Sequence, residues 1–128
     1  MSKLAEGRAV ATLPTQDVGR LKKFYESLGF QIDREDGEMG VLLKAGDTTF
    51  FVFQSMGRPS GDHTQMNFEV SDLDGAMAEM REAGVKFETY DMPDFKTDAN
   101  GVLEMGEGSR GAWFKDPEGN LIALAEGM

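Results

Sequence analysis

The side chains able to do chemistry in this sequence are few, and the single histidine, His63, is one of them. Cysteine is absent, which excludes disulfides, thiolate metal sites and cysteine nucleophiles. No Gly-x-Ser-x-Gly elbow is present to activate a serine. The candidates for a base working without a metal are Glu69, His63 and Asp94. A solvated carboxylate is the commoner role for Glu69. A lone histidine at a strand entrance is more often a surface or pocket-rim residue than a metal ligand.

Gly106 to Gly111 match the G-x-G-x-x-G pattern of dinucleotide sites. Such a fingerprint must follow a strand and open a helix. Here it leads into a predicted strand, and Glu107 would repel a phosphate. We therefore predict a flexible loop instead of a cofactor site.

The net charge limits the possible partners. Thirteen basic and 23 acidic side chains give −10, which disfavours nucleic acids and anionic membranes and mildly favours a cationic ligand. No stretch approaches the ~18 apolar residues of a membrane helix. The first residues also lack the apolar run of a secretion signal. We expect a cytoplasmic protein without a membrane segment.

The elements that must position these side chains occur twice. Asp17 precedes Gly29 by the same spacing with which Asp72 precedes Gly84. Aspartate is a favoured N-cap, and glycine suits the left-handed residue that closes a helix. Apolar residues recur at helical spacing between each pair. We therefore predict two amphipathic helices, each of which needs a sheet to cover.

Alternating apolar residues predict four strands around each helix. The predicted strands are Arg8–Leu13, Gln31–Arg34, Met39–Lys44 and Thr48–Gln54, then Thr64–Val70, Lys86–Tyr90, Gly111–Lys115 and Leu121–Ala125. Asp116 to Asn120 form a predicted tight turn before the last strand. The segment 91–110 interrupts the repeat as a long polar loop that could fold over a ligand.

Three stretches resemble the vicinal-oxygen-chelate superfamily, which includes glyoxalases, bleomycin-resistance proteins and extradiol dioxygenases. These stretches are Phe24–Phe30, Phe68–Asp74 and Ala112–Asn120. The resemblance implies an α+β fold in one domain, residues 1–128. Two βαβββ modules, about 8–55 and 63–126, would form a half-open barrel around a cavity. It also implies a homodimer.

Enzymes of this superfamily hold a divalent metal at set places in the strands. The resemblance puts these places at Val10, Phe51, Gln65 and Ala123. Three of these side chains have no lone pair, and one glutamine cannot hold a cation that needs three or four donors. We therefore predict no metal and no other cofactor, and no catalytic residue.

Strand alternation then predicts the ligand-binding face. The expected ligand contacts are Val10, Thr12, Thr49, Phe51, Phe53, His63, Gln65, Asn67, Met92, Phe95, Met105, Trp113 and Ala123. Such a lining is aromatic and aliphatic with a few polar groups, which is typical of a small-molecule pocket. Two alternatives stay open. Phe51, Phe53 and Trp113 could fill the barrel as core, and the three loop residues could pack on a dimer partner.

Three functions remain open. The first is a metal-free protein that sequesters an aromatic or hydrophobic compound such as an antibiotic, as in the bleomycin-resistance branch. The second is a metal-dependent glyoxalase, dioxygenase or thiol transferase with displaced ligands. The third is a metal-free isomerase or cyclase acting on a biosynthetic intermediate. The missing metal donors favour the first.

Overall fold

The computed structural model describes residues 2–127, which divide into two compact units between Gly57 and Arg58. Each unit contains one α-helix and one four-stranded sheet. This confirms the predicted α+β class with two βαβββ modules. No helix within residues 2–127 has the length and apolar character needed to cross a membrane.

The N-terminal module has the five elements expected from the repeat. They are β1 (Ala11–Thr15), α1 (Val18–Ser27), β2 (Gln31–Glu35), β3 (Gly40–Ala45) and β4 (Thr48–Gln54). The sheet order is β1-β4-β3-β2. β1 runs parallel to β4, and the other pairs are antiparallel. A parallel pair needs a crossover, and α1 lies within it.

The C-terminal module repeats this topology with one insertion. Its elements are β5 (Thr64–Glu69), α2 (Leu73–Glu82), β6 (Asp91–Met92), β7 (Phe95–Lys96), β8 (Leu103–Gly106), β9 (Ser109–Lys115) and β10 (Leu121–Glu126). The sheet order is β5-β10-β9-β8, with β5 parallel to β10. β6 and β7 form a separate two-stranded hairpin.

Both helices begin and end where the sequence predicts. The side chain of Asp17 accepts a hydrogen bond from the backbone N–H of Arg20 at 3.1 Å. Asp72 accepts one from Gly75 at 3.0 Å. Gly29 has a φ of 101° and Gly84 a φ of 95°, in the region that a side chain rarely tolerates. The predicted caps are confirmed.

Each helix covers one face of its own sheet. In the N-terminal module Phe50 and Val52 are buried, whereas Phe51 and Phe53 on the other face are half-buried. The ring of Tyr25 in α1 meets Phe50 edge to face at 5.2 Å. This confirms the predicted division of β4 into a helix-covered face and an open face.

The C-terminal core follows the same rule. The buried side chains shared by α2 and its sheet are Met66, Leu73, Met77, Ala112, Phe114, Ile122 and Leu124. Ile122 lies between Met66 and Phe114 in the strand register. Burial of each large apolar side chain contributes about 1.5–3 kcal/mol, so the alternating residues of β5, β9 and β10 fix which face turns away from α2.

The predicted strand Lys86–Tyr90 is wrong. Phe87 makes an isolated bridge to Phe114, and the N–H of Glu88 donates to the carbonyl of Trp113 at 2.8 Å. The rest of that edge of β9 pairs with β8. The free edge of β9 can pair with only one strand at each position. β8 occupies most of this edge and is the fourth strand of the sheet, so residues 86–90 pair with β9 only around Phe87.

The segment 91–110 is therefore structured in large part, and the Gly106–Gly111 pattern is not a flexible loop. Glu107 and Gly108 form the turn of the β8–β9 hairpin, with φ values of 56° and 81°. Two successive positive φ values are typical of tight hairpin turns. No helix follows this turn, in agreement with the rejection of a dinucleotide site.

The predicted turn before the last strand is confirmed. The carboxylate Oδ1 of Asp116 accepts from the N–H groups of Glu118 and Asn120 at 2.9 and 3.0 Å. The side-chain amide of Asn120 donates to Oδ2 of Asp116 at 2.8 Å. This hydrogen-bonded turn fixes the register between β9 and β10, on which the site described next depends.

The hairpin turn generates a stability prediction. Replacing Glu107 with asparagine should raise the free energy of unfolding by about 0.5–1 kcal/mol, because asparagine tolerates the left-handed region better. Urea denaturation measures the change. Glu104→Asn, in the extended part of β8, is the matched control and should give no gain. An E107N protein no more stable than its parent would contradict the positive φ.

Candidate functional site

The open face of the N-terminal sheet is apolar. Phe51 and Phe53 lie on it, beside Thr12 and Pro14 of β1 in the strand register. The two rings are parallel within 9° and their centroids are 6.2 Å apart. A Cβ atom on Gly40 would lie 2.6 Å from the Phe51 ring, so this ring lies against the strand only because residue 40 is glycine.

The polar neighbours of this face are partly where the sequence predicts. Thr12 is exposed in β1, and Thr49 is half-buried with its Oγ1 accepting from Nη2 of Arg8 at 3.2 Å. Val10 lies one residue before β1 and is 41% exposed. Its predicted place inside the first strand is wrong. The strand is shifted towards Pro14, which an edge strand accommodates although it lacks an N–H donor.

On the open face of the C-terminal sheet the indole of Trp113 crosses a neighbouring strand. Trp113 pairs with Ala123, while its Nε1–H donates to Oγ1 of Thr64 at 3.0 Å. Thr64 belongs to β5, on the far side of β10, and pairs with Leu121. The indole must therefore pass over β10 at Ala123 and Leu121. The methyl of Ala123 leaves room for it, and Ala123 is only 7% exposed.

A bulge in β5 makes this hydrogen bond possible. Thr64 pairs with Leu121 and Met66 with Ile122, which leaves Gln65 as the extra residue. The bulge turns Thr64 to the face that carries Trp113. Asn67 is exposed on that face and pairs with Ala123. His63 lies before the strand, exposed, with Nδ1 3.4 Å from Oγ of Ser60.

Trp113 also belongs to an aromatic cluster with Tyr90 and Phe95. The Phe95 and Trp113 centroids are 5.1 Å apart and the rings are tilted by 54°. Tyr90 meets Trp113 edge to face at 6.0 Å and Phe95 at 5.3 Å. Such pairs contribute about 0.5–1.5 kcal/mol beyond their buried area. Two predicted ligand residues, Trp113 and Phe95, are thus in mutual contact.

The phenol of Tyr90 is affected by this environment. Burial raises its pKa above the ordinary value, and the charge of Glu88 adds to the rise. Both effects disfavour the phenolate. Tyr90 therefore stays neutral throughout the physiological pH range and presents a hydroxyl instead of a charge.

The two predicted methionine contacts lie in different elements of the segment 91–110, Met92 in β6 and Met105 in β8. Met105 is 42% exposed in β8, and its Cε would lie 3.1 Å from a Cβ added to Gly111. It therefore lies over β9 on the Trp113 side. Met92 is 50% exposed in the β6–β7 hairpin. Each is a flexible apolar side chain of the kind that adapts to irregular ligands.

Sequence reasoning missed three side chains of these faces. Thr64 was not predicted because nothing in the sequence indicates a bulge at Gln65. Tyr90 was not predicted because it was assigned to a strand that does not form. Leu42, which pairs with Phe51, was missed although its position in an alternating strand was a usable signal.

The four places where the superfamily holds a metal do not fit one here. Val10, Phe51 and Ala123 carry hydrocarbon side chains, and Ala123 lies under the Trp113 indole. Within residues 2–127 no group of three or more His, Asp or Glu side chains is arranged to hold a metal ion. The donor set at these places is a single amide, that of Gln65, which is too few for a divalent cation.

The two candidate carboxylate bases, Glu69 and Asp94, are exposed to solvent. Glu69 lines an open concavity of about 660 Å³ together with Ser71, Asp72 and Glu79. Asp94 is exposed at the tip of the β6–β7 hairpin. Neither position puts a carboxylate against an apolar surface that would tune it for proton transfer.

An ion-pair network fixes the strands that carry Trp113. The guanidinium of Arg110 in β9 contacts the carboxylates of Glu126 at 2.7 Å and Asp74 at 3.2 Å. The hydrogen bond to Glu126, and to a smaller extent the one to Asp74, raises the pKa of Arg110 above its already high ordinary value. Arg110 therefore links β9, β10 and the start of α2.

One family model matches both modules of the chain. Residues 8–124 match the family model of the Glyoxalase/Bleomycin resistance protein/Dioxygenase superfamily. The chain belongs to this superfamily. The match includes both open faces, so the superfamily resemblance noted in the sequence is confirmed. No curated protein matches the chain significantly.

Several solved structures share the fold of this chain. A bleomycin-binding protein complexed with bleomycin is 23% identical, with a TM-score of 0.72, covering 95% of this chain and 99% of that one. A fosfomycin resistance protein, FosX, from Listeria monocytogenes is 14% identical, with a TM-score of 0.69, and the match covers 95% of this chain and 93% of that one. A lactoylglutathione lyase from Agrobacterium tumefaciens is 16% identical, with a TM-score of 0.70, and the match covers 94% of this chain and 93% of that one. At these identities the likeness concerns the fold alone.

The contact between Tyr90 and Trp113 generates a pH prediction. Tyrosinate quenches a nearby indole, so Trp113 emission should fall as Tyr90 ionises, with a midpoint above about 10. Because the folded pKa is raised, the stability contributed by neutral Tyr90 is present below pH ~10 and lost as pH rises through the folded pKa. Emission is followed during a pH titration.

Tyr90→Phe is the control for that titration and should remove the step. A midpoint at or below the ordinary tyrosine value, or a step that survives in Y90F, would contradict the arrangement.

Proposed function

We propose that this protein binds a flat aromatic or hydrophobic small molecule, such as an antibiotic, by contact with aromatic side chains and without a metal. One observation carries the proposal. At Ala123, where relatives would place a metal ligand, this chain has a methyl group beneath the Trp113 indole, which Thr64 holds in place. A side chain that would coordinate a cation is replaced by a ring that can stack on a ligand.

The N-terminal module supports the same chemistry. Phe51, the residue at another metal-ligand place, lies parallel to Phe53 on a half-buried face. Its neighbours Thr12 and Thr49 offer hydroxyl groups. Apolar ring surface with a few polar groups at its border is the usual composition of a small-molecule site.

The charge of the protein narrows the class of ligand. A net charge of −10 attracts cations from solution and repels anions. The bleomycin-binding relative binds bleomycin, and a flat cationic or polycationic antibiotic is the class that we propose here. Binding without alteration of the compound would sequester it. We also propose that the protein acts in the cytoplasm as a homodimer.

The enzymatic alternatives are less well supported. The TM-scores for the lactoylglutathione lyase and the fosfomycin resistance protein are within 0.03 of the TM-score for the bleomycin-binding protein, so structural similarity does not choose between binding and catalysis. The donor set, however, does not fit a metal. A metal-free isomerase would use Glu69, His63 or Asp94, all of which are exposed to solvent.

Ligand titration tests the proposal. Bleomycin and proflavine, a flat cationic dye, should quench Trp113 emission saturably, and calorimetry should give the same Kd. Fosfomycin, which is small and has no aromatic ring to stack, should not bind. Each compound should be recovered chemically intact. No binding by any planar aromatic compound would contradict the proposal.

Two variants locate the site. Trp113→Leu should weaken proflavine binding about tenfold or more, because the loss of one aromatic stacking partner removes about 0.5–1.5 kcal/mol in addition to its buried area. Phe24→Leu is the matched control, because Phe24 is a half-buried aromatic residue in α1, the helix that covers the other face of the N-terminal sheet. Equal losses in the two variants would contradict a site at Trp113.

Metal analysis separates the enzymatic alternative. Protein dialysed against buffer without chelator should retain less than stoichiometric Ni, Mn, Fe or Zn, as measured by mass spectrometry of the elements. Stoichiometric metal, lost together with an activity in a Gln65→Ala variant, would replace the binding proposal by a metal-dependent reaction.

A further inference from the structure

The β6–β7 hairpin presents one apolar side chain to the C-terminal module. Of its residues Asp91 to Lys96, all are exposed except Phe95, which is half-buried. The ring of Phe95 lies against Trp113 with centroids 5.1 Å apart. The chain thus places one of its own aromatic rings on the indole that we propose as a ligand contact.

The hairpin is anchored at its base. The N–H of Tyr90 donates to Oγ1 of Thr97 at 2.8 Å, and the N–H of Thr97 donates to the carbonyl of Tyr90 at 3.0 Å. Thr97 is buried. Beyond this base, the ion pair between Lys96 and Asp91 spans 3.7 Å between side chains that are 72% and 86% exposed. Solvent screens such a pair almost completely, so the packing of the tip depends on Phe95.

Trp113 is held far more firmly than Phe95. Its backbone lies in β9, paired with β10 along one edge and accepting from Glu88 along the other. Its indole N–H is bonded to Thr64. Since the indole reaches across β10 to Thr64, the sheet fixes the ring, and the ring surface that the sheet does not contact is available for stacking. If the two rings separate, Phe95 is the one that moves.

From these contacts we infer that Phe95 is an internal occupant of the Trp113 ring face, which a planar aromatic ligand displaces. This inference rests on the proposed function. In the free protein Phe95 shields the indole from water. On binding, the ligand takes the position of the Phe95 ring, and the hairpin turns outward about its base at Tyr90 and Thr97.

The sign of a mutational effect distinguishes an occupant from a wall of the site. If Phe95 competes with the ligand, its removal strengthens binding, because the ligand no longer has to break an aromatic contact. If Phe95 is a wall that the ligand touches, its removal weakens binding. Sequence position alone predicts the second outcome, and the structure favours the first.

The experiment compares the parent protein with Phe95→Ala and with Lys96→Ala, a control at the neighbouring exposed residue of the hairpin. In the absence of ligand, acrylamide should quench Trp113 emission more strongly in F95A than in the other two proteins. Proflavine should bind F95A about two- to tenfold more tightly than the parent, the range expected for one lost aromatic pair. K96A should match the parent in both measurements.

Hydrogen exchange on the unmodified protein gives a readout that does not depend on a variant. Saturating proflavine should accelerate exchange of the amides of Met92 and Phe95, since the hairpin leaves its contact with the module. Slower exchange of these amides on binding would overturn the inference, because a wall closing on the ligand would protect them.

Failure of the role of Phe95 and failure of the proposed binding function give different results. Unchanged acrylamide quenching in F95A, or equal or weaker proflavine binding by F95A, would overturn the role of Phe95 while leaving the binding function intact. If neither the parent nor F95A binds proflavine or bleomycin, the proposed function fails. Acrylamide quenching of the free proteins then still decides whether Phe95 covers Trp113.

Discussion

The hydrogen bond from the Trp113 indole to Thr64 determines what the C-terminal sheet can bind. It spans a whole strand, so it requires a bulge in β5 to turn Thr64 to the right face and a small side chain at Ala123 to let the ring pass. A glutamate or histidine at position 123 would collide with the indole. The arrangement therefore exchanges a coordinating side chain for ring surface.

The two modules share a topology and differ in what their open faces offer. The N-terminal face presents two parallel phenylalanine rings, one of them accommodated by Gly40. The C-terminal face presents an indole with Tyr90 and Phe95 against it. The C-terminal module alone carries an inserted hairpin, and this hairpin brings a displaceable ring to the site. The strands of the sheets hold Phe51, Phe53 and Trp113 in fixed positions, whereas the inserted hairpin carries Phe95, the ring that a ligand would displace.

Sequence reasoning predicted the features that local chemistry dictates. The caps at Asp17 and Asp72 and the closing glycines depend on single residue types with strong preferences, and the alternating residues of β4 identify its two faces. Three features depend on competition in space. Lys86–Tyr90 has the composition of a strand but shares its edge of β9 with β8, a strand of four residues. The bulge at Gln65 and the shift of β1 away from Val10 have no local signal.

The position of the indole can be measured directly, because the chain has one tryptophan and its ring resonances are unambiguous. In a nuclear Overhauser spectrum of isotopically labelled protein, the indole ring protons should show cross-peaks to the methyl of Ala123. The Nε1–H should exchange slowly with solvent and accelerate in Thr64→Val. Indole cross-peaks that avoid Ala123, with rapid exchange of Nε1–H in the parent protein, would contradict the account.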